Sequence, residues 1–269
     1  MMRCGNALTS WAVALVLGVT LAGCATTGAV RPGVGGTDKT GDLGALKPDS
    51  PAAVYVELAV EYLRQKNYAV ALQNAKRAVI VDPHYGAAHT VLALVYQQIG
   101  EPAEAERHFR RAIDLDPRDP YALNAYGGFL CAAKRYDEAD TMFQRALQNP
   151  LYNTPWVAES NAGLCAEQAG KQAEAEVYLR RALRANPRFP PALLSMASIS
   201  YAQGNMMSAR AYLQRYAEVA QHTPESLWLG IKTERQLGDQ DQVASYALLL
   251  RARFPDSEEV QLLNESRAP

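Results

Sequence analysis

The sequence predicts an all-α superhelical solenoid of about six helix-turn-helix units, on three observations. The first is a fixed internal period: Pro83 and Pro117 stand 34 residues apart, and Pro187 and Pro255 stand 68 apart, twice that interval. Aligned on these prolines, units begin near Ala52, Gly86, Pro120, Trp156, Pro190 and Pro224, with the two extra residues confined to a loop at Asn149–Pro155. The second is the columns. Unit position 8 reads Ala59, Ala93, Gly127, Gly163, Ala197 and Ile231, position 20 reads Ala71, Ala105, Ala139, Ala175, Ala209 and Val243, and position 24 reads Ala75, Phe109, Phe143, Leu179, Leu213 and Ala247. Small residues at 8 and 20 let two antiparallel helices approach closely, and the larger residue at 24 fills the seam. The third is the punctuation between the helices: Lys66-Asn67, Gly100-Glu101, Lys134-Arg135, Gly170-Lys171, Gly204-Asn205 and Gly238-Asp239.

Residues 1–23 precede the repeats and read as an address. Arg3 is their only charge, and Trp11–Ala22 is a run of 12 mostly apolar or small residues, the size of a signal-peptide core and too short for a permanent membrane span. The run ends in Leu21-Ala22-Gly23-Cys24, which resembles the bacterial lipobox. The resemblance implies cleavage before Cys24 and a covalent lipid on its thiol. In such lipoproteins Ala25, rather than an Asp, implies the outer membrane. Acyl chains bury roughly 0.8 kcal/mol per CH₂, so the lipid anchors the chain without a membrane helix. From Cys24 to Pro51 the chain is rich in Gly, Thr, Pro and Asp with no sustained period, and reads as a flexible tether. Its reach is on the order of 30 Å.

The units occupy 52–255 and resemble the tetratricopeptide repeat. The sixth departs most from the columns, as terminal repeats do. Residues 256–269 form the C-terminal cap and tail, with a short capping helix expected from Glu258 to Asn264 through Val260, Leu262 and Leu263.

Composition and motif content point away from catalysis. With 27 Lys and Arg against 28 Asp and Glu, the formal net charge is −1, so no basic excess draws nucleic acid. There is no Gly-rich phosphate loop, no GxSxG, and no HxxxH or HExxH pair among the four histidines. No metal, cofactor or small-molecule substrate is expected, and the chain reads as a binding scaffold rather than an enzyme. Glu106 and Arg110, like Glu176 and Arg180, are spaced as solvated i,i+4 pairs.

The expected working surface is the helix-A arc opposite the partner helix, at positions 2, 5, 6, 9, 12 and 13 of each unit. It assigns Val56, Val60 and Leu63 in the first unit, Ala87, Thr90, Val91 and Leu94 in the second, and Tyr121 and Asn124 in the third to a partner-binding groove. Glu57 and Arg64 are the only charges at these positions in the first three units, so the groove suits an amphipathic helix or an extended apolar segment. The alternative is that this stripe packs against the tether or another copy. In the sixth unit Trp228, Lys232 and Arg235 change its character.

Four cysteines are present. Cys4 falls in the signal peptide and Cys24 in the lipobox. Cys131 and Cys165 are 34 apart, late in the first helices of adjacent units, and are the candidate disulfide; the alternative is two small buried thiols.

Several strings together resemble the type IV pilus biogenesis lipoproteins of the PilF/PilW family: Leu123-Asn124-Ala125-Tyr126-Gly127-Gly128-Phe129-Leu130, Asn149-Pro150-Leu151-Tyr152, Asn161-Ala162-Gly163-Leu164-Cys165 and Leu227-Trp228-Leu229-Gly230-Ile231. The resemblance implies a pilotin, an outer-membrane scaffold on the periplasmic face that helps the pilus secretin subunit reach the membrane and multimerise. The alternative is an adaptor of another envelope machine, serving β-barrel assembly or peptidoglycan enzymes.

Overall fold

A computed structural model describes residues 50–266. The expected signal peptide (1–23), Cys24 with its lipid, and tether residues 25–49 lie outside the described residues. Within them the chain forms thirteen α-helices and no strand. Twelve helices make six antiparallel pairs: α1 (Ala53–Arg64) with α2 (Tyr68–Val81), α3 (Gly86–Gln98) with α4 (Pro102–Leu115), α5 (Pro120–Ala132) with α6 (Tyr136–Leu147), α7 (Pro155–Gln168) with α8 (Gln172–Ala185), α9 (Pro190–Ala202) with α10 (Met206–Ala217), and α11 (Pro224–Leu237) with α12 (Gln240–Arg253). The odd-numbered helices are the A helices and the even-numbered ones the B helices. Each B helix packs on the next A helix, and successive A helices also touch, which is solenoid stacking. The last helix, α13 (Glu258–Glu265), packs on α11 and α12 through Val260 and Leu263, while Leu262 points outward.

Local chemistry sets the period. Helices α2, α4 and α8 each end at a residue before proline, and Asp82, Asp116 and Asn186 adopt extended backbone there. Proline's ring disfavours the helical conformation at the residue preceding it. Each of these three side chains then accepts a hydrogen bond from the N–H two residues on, of His84 (3.0 Å), Arg118 (3.0 Å) and Arg188 (3.1 Å). Between helices A and B the chain reverses through a left-handed residue in every unit. It is glycine at Gly100, Gly170, Gly204 and Gly238, but Lys66 (φ 59°) and Lys134 (φ 61°) in units one and three.

Close approach of each pair depends on position 8. A side chain at Gly127 would meet the Phe143 ring at 2.6 Å, and one at Gly163 would meet Leu179 Cγ at 2.7 Å. In the sixth pair the same contact recurs one residue earlier, where a side chain at Gly230 would meet the Tyr246 ring at 2.9 Å. Both contacting residues are therefore displaced by one from the column reading, and Ile231 and Ala247 fill the adjoining core. The terminal unit keeps the contact and changes its register.

Two links reinforce the stack. Cys131 of α5 and Cys165 of α7 are disulfide-bonded, with Cα atoms 5.8 Å apart. The bridge ties the pairs flanking the two-residue insertion, whose Tyr152 is buried with its ring edge-on to Tyr121. A closed loop of this size stabilises by about 3–4 kcal/mol in the chain-entropy account. At the N-terminal end, Ser50 Oγ donates to Asp82 Oδ2 (2.9 Å), fixing the chain's entry into the repeats.

The second pair encloses a histidine couple. His89 Nε2 lies 3.1 Å from the Pro83 carbonyl, which only accepts, so that nitrogen carries the proton. Arg107 lies 2.9 Å from His108 Nε2, which must therefore accept. His108 Nδ1–H then donates to His89 Nδ1 across 2.9 Å. Both rings are buried, neutral and hydrogen-bonded at every nitrogen, and His108 also stacks on Tyr96. Burial, reinforced by the Arg107 charge, holds His108 down to about 4, and burial lowers His89 as well.

Two outcomes follow. Gly127→Ala should destabilise the fold by about 1–3 kcal/mol through the Phe143 clash. Its neighbour Gly128, on the same helix with open space around it, should tolerate Gly128→Ala with a gain of about 0.5–1 kcal/mol; urea midpoints check the opposite signs. The histidines are more easily protonated when unfolded, so their contribution to stability is full above pH 6.5 and declines as pH falls toward 4. His108→Gln should lower stability at pH 7 yet flatten this decline, read as the difference between the two pH profiles of the urea midpoint.

Candidate functional site

The A helices present two different surfaces along the stack. Position 5 shows the change: Val56, Thr90, Asn124 and Ser160 are buried, whereas Leu194 and Trp228 are half-buried. Of the nine residues assigned to the groove, Val60, Ala87 and Tyr121 are half-buried. Val56, Leu63, Thr90, Val91, Leu94 and Asn124 are not surface residues at all, with exposures from 0% to 4%. The assignment is corrected for these six. Helices α1, α3, α5 and α7 contact one another in turn, and Val56, Leu63, Val91 and Leu94 belong to the core cluster that fills those seams. Helix periodicity gives the direction of a side chain, but not whether a neighbouring helix covers it.

Polar groups enter this seam at its centre. Asn161 Nδ2 donates to Asn124 Oδ1 (3.0 Å). Asn124 Nδ2 and Ser160 Oγ are buried without a hydrogen-bond partner among the described residues. Further along, Glu167 is half-buried, and burial raises its carboxyl pKa against an opposing hydrogen bond from Ser195.

In the last two pairs the same inner positions are accessible, and side chains there meet between helices. Lys232 Nζ stands over the rings of Tyr201 (5.0 Å) and Trp228 (6.0 Å), and the Arg235 guanidinium stands over Trp228 (5.7 Å). The sequence pointed to Trp228, Lys232 and Arg235. It missed Tyr201, although Tyr201 stands at position 12, the position that Arg235 holds one unit later.

Several charged groups elsewhere are internally paired. Glu106 accepts from Arg135 (2.8 Å), Arg110 (2.7 Å) and the Tyr126 hydroxyl (3.0 Å). Led by the Arg135 bond and opposed by burial, these contacts hold Glu106 down to about 2. Arg180 pairs with Glu176, and Arg210 binds both Glu234 and Asp239. Among the described residues no group of three or more His, Cys, Asp or Glu side chains is placed to hold a metal, and no helix is long and apolar enough to cross a membrane. What the geometry offers is a protein-binding face.

Comparison with known proteins agrees with this geometry. Tetratricopeptide-repeat family models match residues 90–152 and 166–229. The type IV pilus assembly protein PilF of Pseudomonas aeruginosa is 35% identical over 250 residues, covering 93% of this chain and 96% of that protein. The solved structure of Pseudomonas aeruginosa PilF superposes with a TM-score of 0.71 at 34% identity, covering 80% of this chain and 97% of PilF. That of PilW, described as a widely conserved type IV pilus biogenesis factor, superposes with the same TM-score and identity over 79% of this chain and 97% of PilW. With this identity sustained over nearly the full length of both chains, the protein belongs to the PilF/PilW family of type IV pilus biogenesis proteins.

Proposed function

We propose that the protein is a lipid-anchored pilotin of the outer membrane, a non-catalytic scaffold acting in type IV pilus biogenesis by delivering the secretin subunit and assisting its multimerisation. The observation that carries this reading is the full-length likeness to PilF, since tetratricopeptide repeats alone specify only a scaffold. The lipobox ending at Cys24 and the stretch after it fit the same role. A secretin subunit exposes membrane-inserting apolar surface before its ring closes, and a scaffold that covers such surface lowers aggregation. Confinement of scaffold and client to one membrane raises the effective concentration of subunits for one another.

The anchor is tested by fractionation. Cys24→Ser should move the protein out of the outer-membrane fraction; unchanged partition would remove the lipid from the mechanism. The client is tested in the native host. Deleting the gene should abolish surface pili and detergent-resistant secretin multimers, and secretin rings at wild-type levels without the protein would end the pilotin reading. Val60→Glu, at a half-buried inner position, should keep the helical circular dichroism spectrum while lowering multimer yield. Leu94→Glu should instead lose helicity, because it places a carboxylate in the core.

A further inference from the structure

The inner face changes chemically along the stack, and its C-terminal end holds two cations over aromatic rings at the surface. Lys232 and Arg235, one turn apart on α11, share the Trp228 ring, and Lys232 also caps Tyr201 on α9. Neither cation pairs with a carboxylate among the described residues. The one side-chain hydrogen bond here runs from Arg235 to the neutral Ser266 hydroxyl (3.1 Å). Of the acids on α11 and at the start of α12, Glu234 and Asp239 hold Arg210, and Glu225 accepts from the Thr223 hydroxyl. Two like charges are therefore held side by side over aromatic rings with no counter-charge of their own. Their elevation over the rings restrains the long side chains, so less conformational freedom is lost when an anion arrives.

We infer that Tyr201, Trp228, Lys232 and Arg235 form a docking subsite for an acidic protein segment in which carboxylates alternate with apolar side chains. Charge complementarity selects the carboxylates. The half-buried Trp228 ring, and Leu194 at the same position one unit earlier, select the apolar side chains, and Trp and Arg are among the residue types that dominate binding energy at interfaces. A phosphate-bearing headgroup would use the two cations and leave the aromatic surface unmatched. Position 9 supplies the contrast: where it is half-open it is Val60 in the first unit and Gly128 in the third, but Lys232 in the sixth. A segment running along the A helices would thus meet two cations over aromatic rings at one end and, at the other, half-buried apolar side chains beside Glu57 and Arg64, a difference that fixes its direction. The subsite rests on the inner face being the protein-binding surface, and not on the secretin being the client.

Calorimetry on the full chain in detergent tests this with a synthetic, end-blocked peptide of alternating leucine and glutamate and with its glutamine counterpart. The secretin is not involved, so failure here is distinguishable from failure of the pilotin reading. The glutamate peptide should bind, and the glutamine peptide should bind at least about tenfold more weakly, as expected for lost charge-assisted hydrogen bonds. The affinity gap should shrink as salt rises. The double variant Lys232→Gln with Arg235→Gln should bring the two peptides to equal affinity while keeping the helical circular dichroism spectrum, and Arg235→Lys should retain most of the preference. Equal binding of both peptides to the wild type, binding of neither, or retention of phosphatidylglycerol vesicles through the same two cations in place of the peptide would overturn the inference.

Discussion

Everything in this molecule depends on how closely the two helices of each pair approach, and one contact sets that distance. A residue with little or no side chain on helix A faces the body of a larger side chain, or another small one, on helix B. Where the facing side chain is a ring or a leucine, as at Gly127 with Phe143 and Gly163 with Leu179, even a methyl group has no room. Dense packing leaves little slack for such a contact to shift. The sixth pair shows that the contact outranks the register: Gly230 meets Tyr246 after both residues have moved one place along the sequence.

Once the pairs are fixed, polar groups join them into a stack. Arg135 reaches back from the third unit to Glu106 of the second, Lys171 and Tyr178 of the fourth reach Asp137 and Asp140 of the third, and Arg210 of the fifth holds Glu234 of the sixth. Arg145 and Arg215 each donate to the carbonyl of the proline that ends the preceding unit, Pro117 and Pro187. Most of these bonds are at least partly exposed and individually modest. Their use is directional, since each fixes the rotation of one unit on the next. The buried disulfide performs that task where the insertion lengthens the connection between units three and four.

The same packing divides the inner face. In the first four units small or apolar residues at position 5 allow the A helices to close over the seam. In the last two, Leu194, Tyr201 and Trp228 stand half-open and carry Lys232 and Arg235 above them. A bulky indole cannot enter a seam built for Thr90 or Asn124, so it remains where a partner can reach it. Family membership and the polarised face thus describe one object at two scales, a scaffold whose surface chemistry changes from end to end.

The sequence by itself determined the period, the helix pairs and their boundaries, because each is imposed within a few residues. Proline disfavours helix at the residue before it, a left-handed turn favours Gly100 or Gly170, and a small residue at a spacing near 34 marks the close approach. Those constraints are local and survive in any context. Only the tertiary structure decided which inner residues are covered. Val60 and Leu94 have the same polarity and stand at the same unit position 9, yet only Val60 remains half-open. The histidine couple, the meeting of Tyr201 with Lys232, and the one-residue shift at Gly230 were equally out of reach. Each depends on the separation between two helices, and periodicity along one helix specifies a direction without a distance.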